Sequence, residues 1–330
     1  MKKVVIVTTG GTIAMAKTHD GVVPFSKGNS LITQVPGLSE ITEIEHVEFA
    51  NIPSPYMTPS MMWKLSKLVQ RLVNREDVAG VVITHGTDTL EETSYFLDLT
   101  VKTDKPIVFT AAMRNINELG TDGPRNVLSS VRVAVSGKSK GMGVMVCLND
   151  EIHAAREVTK TYTSNVATFD SPGYGPLGIV DEDEVIFFRK PLMRMHIDTD
   201  KIEERVALIK TFTGDDGSLL KVAADMGYRG IVLEGFGRGN VPPEVADAAS
   251  DVIDKVVIVI TSRCFKGRVL DVYAYKGGGA DLVKRGVILG QEVSAQKARI
   301  KLIIALGKTH DREKIRKYFE SSRVRKEMDI

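Results

Sequence analysis

Three short polar segments of this sequence combine hydroxyls, glycines and charged groups closely enough to do chemistry. The first is Thr8-Thr9-Gly10-Gly11-Thr12. Paired glycines let a backbone turn tightly and present N–H groups to an anion or a developing oxyanion, while Thr12 offers a hydroxyl. A dinucleotide-binding turn would need G-x-G-x-x-G, which this segment lacks, and a plain structural turn is the other alternative. The second is Thr84-His85-Gly86-Thr87-Asp88-Thr89, followed by Leu90-Glu91-Glu92-Thr93. A hydroxyl beside a carboxylate there could serve a substrate, yet composition favours a capping box, with Thr89 or Asp88 as cap and Glu92 reaching back. The third is Glu157-Val158-Thr159-Lys160-Thr161. Its lysine is either solvated or drawn into a cleft as a base, and composition alone leaves both open.

Other kinds of site lack their signatures. No two histidines flank a glutamate as H-E-x-x-H, and C-x-x-C and the glycine-lysine phosphate loop are both missing. Neither a cofactor nor a metal is therefore expected.

These segments follow short β-branched runs. Lys3 to Thr9, Ala79 to His85, Pro106 to Ala111 and Met142 to Leu148 read as strands, with helical patterns between them. Such alternation indicates a parallel sheet covered by helices, whose ligand site lies beyond the carboxyl ends of the strands. Thr58 as N-cap and Pro59 at the first helical position open one helix, with Met61, Leu65, Leu68 and Leu72 as its inner stripe. Thr121-Asp122-Gly123-Pro124 opens another, expected to bury Val127, Leu128, Val131, Ala134 and Val135. A second alternation has strands at Val206 to Lys210, Gly230 to Glu234 and Val256 to Thr261. The basic stretch Asp311 to Lys326 reads as a solvated amphipathic helix around Ile315, Tyr318 and Phe319. The expected fold class is α/β. A larger N-terminal domain (1–190) carries a parallel or mixed, flavodoxin-like sheet, and a smaller C-terminal domain (205–330) a Rossmann-like parallel sheet, joined by a linker at 191–204.

With 330 residues, 43% of them hydrophobic, the chain can bury two cores. Forty-four basic against 42 acidic residues leave +2, too balanced for a protein whose affinity comes from neutralising phosphates, so no nucleic-acid partner is expected. A small neutral or zwitterionic substrate fits better. The run Val4-Val5-Ile6-Val7 is too short for a secretory leader and no stretch approaches a membrane span, which points to the cytoplasm. A mature secreted form restarted at Met1 is the alternative. Cys147 and Cys264 are expected as buried free thiols rather than a bridge.

Taken together, Thr8-Thr9-Gly10-Gly11-Thr12-Ile13-Ala14 and Ile83-Thr84-His85-Gly86-Thr87-Asp88-Thr89 closely resemble the two signature segments of the bacterial-type asparaginase/glutaminase family. The resemblance continues through residues 91–102, Thr121-Asp122-Gly123-Pro124, Asn149-Asp150-Glu151-Ile152, Val158-Thr159-Lys160, Gly237-Arg238-Gly239-Asn240 and Gln296-Lys297-Ala298-Arg299, so it covers essentially the whole chain. It implies an amidohydrolase that converts L-asparagine to L-aspartate and ammonia. Thr12 would be the nucleophile and form an acyl-enzyme. Thr87, Asp88 and Lys160 would form a second constellation, in which Lys160 accepts a proton, Asp88 orients it and holds the substrate's α-amino group, and Thr87 positions water. Ser54 matches the serine that binds the α-carboxylate, Ala112 the position whose backbone meets the scissile amide, and Gly11 and Gly86 line the same site.

The departures are informative. Periplasmic members carry a tyrosine in the loop after the first motif, but Met15 to Asn29 contains none and Phe25 is its only aromatic. Many members follow the substrate serine with glutamine, where this chain has Pro55; losing that donor is expected to weaken glutamine turnover more than asparagine turnover. The acidic residue that a neighbouring subunit donates is replaced near Val272-Tyr273-Ala274-Tyr275, with Tyr273 as its counterpart. The resemblance further implies a homotetramer built as a dimer of dimers, with Asn240 and Tyr273 supplied across a subunit boundary. Three rivals remain: the asparaginase-like subunit of a tRNA-dependent amidotransferase, disfavoured because Thr12 follows Met1 so closely; a nucleotide or redox module; and a catalytically weakened amino-acid-binding relative.

Overall fold

A computed structural model of the chain describes residues 2–18, 21–24, 35–192 and 194–324. Residues 19, 20 and 25–34, which include Phe25 and part of the loop that runs to Asn29, lie outside the described residues, as does Lys326. The chain divides into two compact units, Met1–His196 and Ile197–Ile330.

In the first unit β1 (Lys3–Gly10) is followed by a hairpin, β2 (Met15–Thr18) and β3 (Gly21–Pro24), then α1 (Leu38–Ile41), β4 (Ile44–Ile52) and α2 (Pro59–Val73). Next come β5 (Val78–Thr84), α3 (Leu90–Thr100), β6 (Ile107–Thr110), α4 (Gly123–Val135) and β7 (Val144–Leu148). The unit closes with β8 (Glu151–Ala154), the short pair β9 (Thr159–Lys160) and β10 (Phe169–Asp170), and β11 (Gly178–Asp181) with β12 (Glu184–Phe187). Eight strands form one sheet in the order β12-β11-β8-β7-β6-β5-β1-β4. The five from β4 to β7 are parallel and β8, β11 and β12 join antiparallel, so the sheet is mixed.

Counted along the chain, those parallel strands lie in the flavodoxin-like order 2-1-3-4-5. The path leaves β1 for β4 on one side and returns to β5 on the other. That reversal opens a crevice beyond the carboxyl ends of β1 and β5, where open α/β sheets bind ligands. Side chains alternate across the sheet. Val4, Ile6, Val82 and Val108 pack with Val127 and Val131 of α4 on one face, which leaves the buried Val5, Val7, Val81 and Ile83 for the other.

Strand boundaries fall within two residues of those expected, whereas the helix faces turn slightly. In α2 the buried residues are Met62, Leu65, Ser66, Val69, Leu72 and Val73, with Met61 and Leu68 only half-buried. Apolar residues at 61, 62, 65, 68, 69, 72 and 73 make a stripe broad enough for two inner faces, and contact with the sheet selects one. Thr58 caps this helix as expected, its hydroxyl accepting the Met61 N–H at 3.2 Å. In α4, Val133 is buried and Val135 exposed, the reverse of the expected edge. Asn149 and Asp150 both take positive φ, 51° and 61°, in the two-residue turn between β7 and β8. This is the twist such hairpins prefer.

The second unit contains β13 (Val206–Lys210), α5 (Ser218–Asp225), β14 (Gly230–Gly235), α6 (Pro243–Val252), β15 (Val257–Ser262), α7 (Gly279–Lys284), β16 (Ile288–Leu289), α8 (Ala295–Lys308) and α9 (Arg312–Val324). Its four strands are parallel and run in chain order, β13-β14-β15-β16. Ile209, Ile231, Leu233, Ile258 and Ile260 meet Leu220, Val245 and Ala249 in its core. Helix α9 is amphipathic as expected, burying Ile315 and Phe319. Cys147 is buried, but Cys264, expected in the interior, is exposed because it falls in the loop beyond β15.

Candidate active site

The turn after β1 is held by both neighbours. Gly11 N–H donates to the Ile52 carbonyl of β4 at 3.0 Å, and the Thr9 hydroxyl donates to the Thr84 carbonyl of β5 at 3.0 Å. Gly10 and Gly11 have φ of 106° and 85°, which L side chains rarely adopt. Space also demands glycine: a Cβ on Gly11 would lie 2.4 Å from Gly86 Cα and N, and one on Gly86 would lie 2.7 Å from Ser54 Oγ. Backbones from the ends of β1, β4 and β5 thus converge at Gly11, Ser54 and Gly86. Thr12 follows Gly11 directly and starts a single 3-10 turn, Thr12–Ala14.

Ser54 is buried at the start of the turn Ser54–Tyr56, and the Thr89 hydroxyl donates to its carbonyl at 2.8 Å. Pro55 beside it is exposed. The capping box expected at α3 does not form: Thr89 stands at the N-cap position without a side-chain cap bond. Its hydroxyl is committed to Ser54, and Asp88 is engaged elsewhere.

Lys160 on β9 supplies that engagement. Its Nζ donates to Thr87 Oγ1 at 2.9 Å and to Asp88 Oδ1 at 2.7 Å, while Thr87 itself is buried. The lysine side chain is 17% exposed against 58% for Asp88, so the pair lies at the rim of the protein with the carboxylate in solvent. Such a pair adds little to stability. Its value is positional: it fixes an amine, a hydroxyl and a carboxylate within hydrogen-bonding reach of one another.

His85, between the strand and these residues, is fully buried. Burial pushes its pKa down to about 4, so the ring is neutral near pH 7. Its Nδ1 donates to the Gly86 carbonyl at 2.8 Å. Ala112 is buried beyond β6, in a loop clamped by the start of α4. The Asp122 carboxylate accepts Met113 N–H at 3.0 Å, Arg114 N–H at 2.9 Å and Asn126 Nδ2 at 3.1 Å, and Asn126 Nδ2 also donates to the Ala111 carbonyl. Sequence reading placed Asp122 at a helix start without giving it this task. Glu91 was missed as well: its buried carboxylate accepts the Thr159 hydroxyl at 3.1 Å and lies 3.5 Å from Lys160 N. A second acidic residue three positions after Asp88 was the available signal.

Asn240 and Tyr273 belong to the second unit. The Asn240 carbonyl accepts from Phe236 N–H at 2.8 Å, while its side-chain Oδ1 is buried without a hydrogen-bond partner among the described residues. Tyr273 is 43% exposed and its ring stands 5.5 Å from that of Tyr275. A separate cavity of about 490 Å³, between α1, the end of α4 and the β11–β12 turn, is lined by Leu128, Arg132, Lys138 and Glu184 and contains none of the residues above.

Glycine turns at a flavodoxin-like switch point, with Lys160 hydrogen-bonded to Thr87 and Asp88 beside them, fit an α/β hydrolase. The Asparaginase, N-terminal family matches residues 3–193 and the Glutaminase/Asparaginase C-terminal domain matches 205–319. The chain is 39% identical over 307 residues to the L-asparaginase of Bacillus licheniformis, covering 92% of this chain and 95% of that one. It is 37% identical to the probable periplasmic L-asparaginase of Haemophilus influenzae, covering 97% and 93%. Among solved structures, the probable cytoplasmic L-asparaginase of Campylobacter jejuni superposes with a TM-score of 0.86 at 35% identity, over 97% of this chain and 99% of that one. The chain belongs to the bacterial-type L-asparaginase family.

Proposed function

We propose that this protein hydrolyses the side-chain amide of L-asparagine through Thr12, with Thr87, Asp88 and Lys160 as the proton-handling set. The observation that carries this reading is Lys160 Nζ held between Thr87 Oγ1 and Asp88 Oδ1 beside the Gly11–Gly86–Ser54 junction. Thr12 Oγ1 adds to the amide carbon, its proton passes to the departing nitrogen, and ammonia leaves an aspartyl ester on Thr12. Water held by Thr87 then adds to the ester carbon. Lys160 accepts the proton of that water and Asp88 stabilises the resulting ammonium. Return of a proton to Thr12 releases aspartate. Backbone N–H groups near Thr12 and Thr87 stabilise the developing oxyanion. Ser54 takes the α-carboxylate, Asp88 the α-amino group, and the backbone at Ala112 the scissile amide.

Pro55 offers no side-chain donor, and glutaminase activity is correspondingly low. Residues 1–190 form the catalytic domain, 191–204 a linker, and 205–330 a domain that completes a partner's site with Asn240 and Tyr273 in a homotetramer of the cytoplasm. The exposed Tyr273 ring supports this assembly. Rapid quench of asparagine turnover followed by peptide mass analysis tests the nucleophile: an aspartyl adduct on Thr12 is expected, and an adduct elsewhere overturns the assignment. Light scattering reads the assembly, for which the mass of four chains is expected.

A further inference from the structure

Both ends of Lys160 are anchored to one stretch of chain. Its Nζ bonds Thr87 and Asp88, while its backbone N and the neighbouring Thr159 hydroxyl point at the Glu91 carboxylate, only three residues further on. Strand β9, which carries Lys160, spans two residues and pairs with a strand equally short, Lys160 opposite Phe169 and Thr159 opposite Asp170. Two ladder positions hold a strand weakly. Glu91, buried in the first turn of α3, supplies a fixed acceptor on the opposite side. We infer that Glu91 is a positioning residue of the reaction: its carboxylate sets where β9 lies against the start of α3, and so where the Lys160 amine meets Thr87.

This inference rests on the proposed role of Lys160, and the experiment separates the two. Steady-state kinetics of ammonia release from asparagine are measured for the purified full-length protein and for Glu91→Ala, Glu91→Gln, Thr159→Val, Lys160→Met and Glu91→Ala/Lys160→Met, with circular dichroism and melting recorded for each. A misplacement of about 1 Å at a reacting group costs on the order of a hundredfold. Glu91→Ala is therefore expected to lower kcat by about that factor with a much smaller change in KM, since Glu91 does not touch the substrate. Glu91→Gln keeps an oxygen acceptor of the same reach and is expected to restore most of the loss. Thr159→Val removes the bond from its other end and is expected to lower kcat in the same direction without emptying the site around Glu91.

In the double variant the Glu91 substitution should add nothing beyond Lys160→Met. A Lys160→Met protein with undiminished turnover would overturn the role of Lys160 itself. An inactive Lys160→Met beside Glu91→Ala and Thr159→Val proteins of undiminished kcat would overturn the inference alone. So would a Glu91 loss that appears only as a lower melting temperature, with kcat per folded molecule unchanged, or one that multiplies fully with Lys160→Met.

Discussion

Substituting Gly11 by alanine tests the packing beneath the candidate site with a single methyl group. Two costs arise. The first is conformational, because Gly11 sits at φ 85° and a side chain in the left-handed region costs about 1–2 kcal/mol. The second is steric, because the new Cβ would stand 2.4 Å from Gly86 Cα and N, where ordinary contact begins at 3.4 Å. The two backbones must therefore separate by about 1 Å, a distortion of the overpacking kind worth about 1–3 kcal/mol. Gly214 is the control, since its φ of 82° is nearly the same and nothing lies within 4 Å of its would-be Cβ. Urea denaturation should show a loss of about 1–2 kcal/mol for Gly214→Ala and about 2–5 kcal/mol for Gly11→Ala. Activity should separate them further, because parting Gly11 from Gly86 displaces Thr12 from Thr87 and lowers kcat on the order of a hundredfold. Equal stability losses and equal activity in the two variants would refute the reasoning.

Asp122→Ala leaves Met113 N–H, Arg114 N–H and Asn126 Nδ2 without their charged acceptor, and should cost about 3 kcal/mol by denaturation. The same variant should raise KM as the backbone around Ala112 loosens. Hydrogen bonds from Arg75 hold the Asp77 carboxyl down at about 2 and lower Glu45 as well. A depressed carboxylate stabilises the fold fully above its unfolded pKa of about 4 and loses that effect as pH falls through its folded value. Acid unfolding between about pH 4 and 2 should therefore be shallower in Arg75→Gln than in the parent protein. Burial pushes the Cys147 thiol up to about 12, whereas Cys264 is exposed, so a disulfide reagent near pH 8 should titrate Cys264 in the native protein and both thiols in urea.

The central strands were legible in the sequence because their β-branched runs leave few alternatives, and those seven start and stop within two residues of the expected positions, whereas the edge strands β4 and β16 and the antiparallel β8, β11 and β12 were not anticipated. Helix faces were legible only to about one residue, since the broad apolar stripe of α2 does not say which edge meets the sheet. Long-range partnerships were the hard part. Local pattern at Thr87-Asp88-Thr89 suggested a cap, yet Asp88 finds Lys160, 72 positions away, and Thr89 finds Ser54, 35 positions back. Only resemblance pointed to Thr87, Asp88 and Lys160 as a set, and the hydrogen bonds do bring those three side chains together. Neither route exposed Glu91 and Asp122. Each is an acidic residue at the start of a helix, where a favourable end-of-helix charge is explanation enough until the fold shows the carboxylate turned towards another loop. Cys264 was misjudged for a similar reason, since closeness to a strand does not tell whether the chain has already passed the sheet's edge.

The most direct measurement is ammonia release from purified protein with L-asparagine as substrate, the parent chain run beside Thr12→Ala. Rapid release by the parent, abolished in a Thr12→Ala protein that melts normally, is the predicted result. Undiminished release by Thr12→Ala, or none from the parent at any asparagine concentration, would contradict the account.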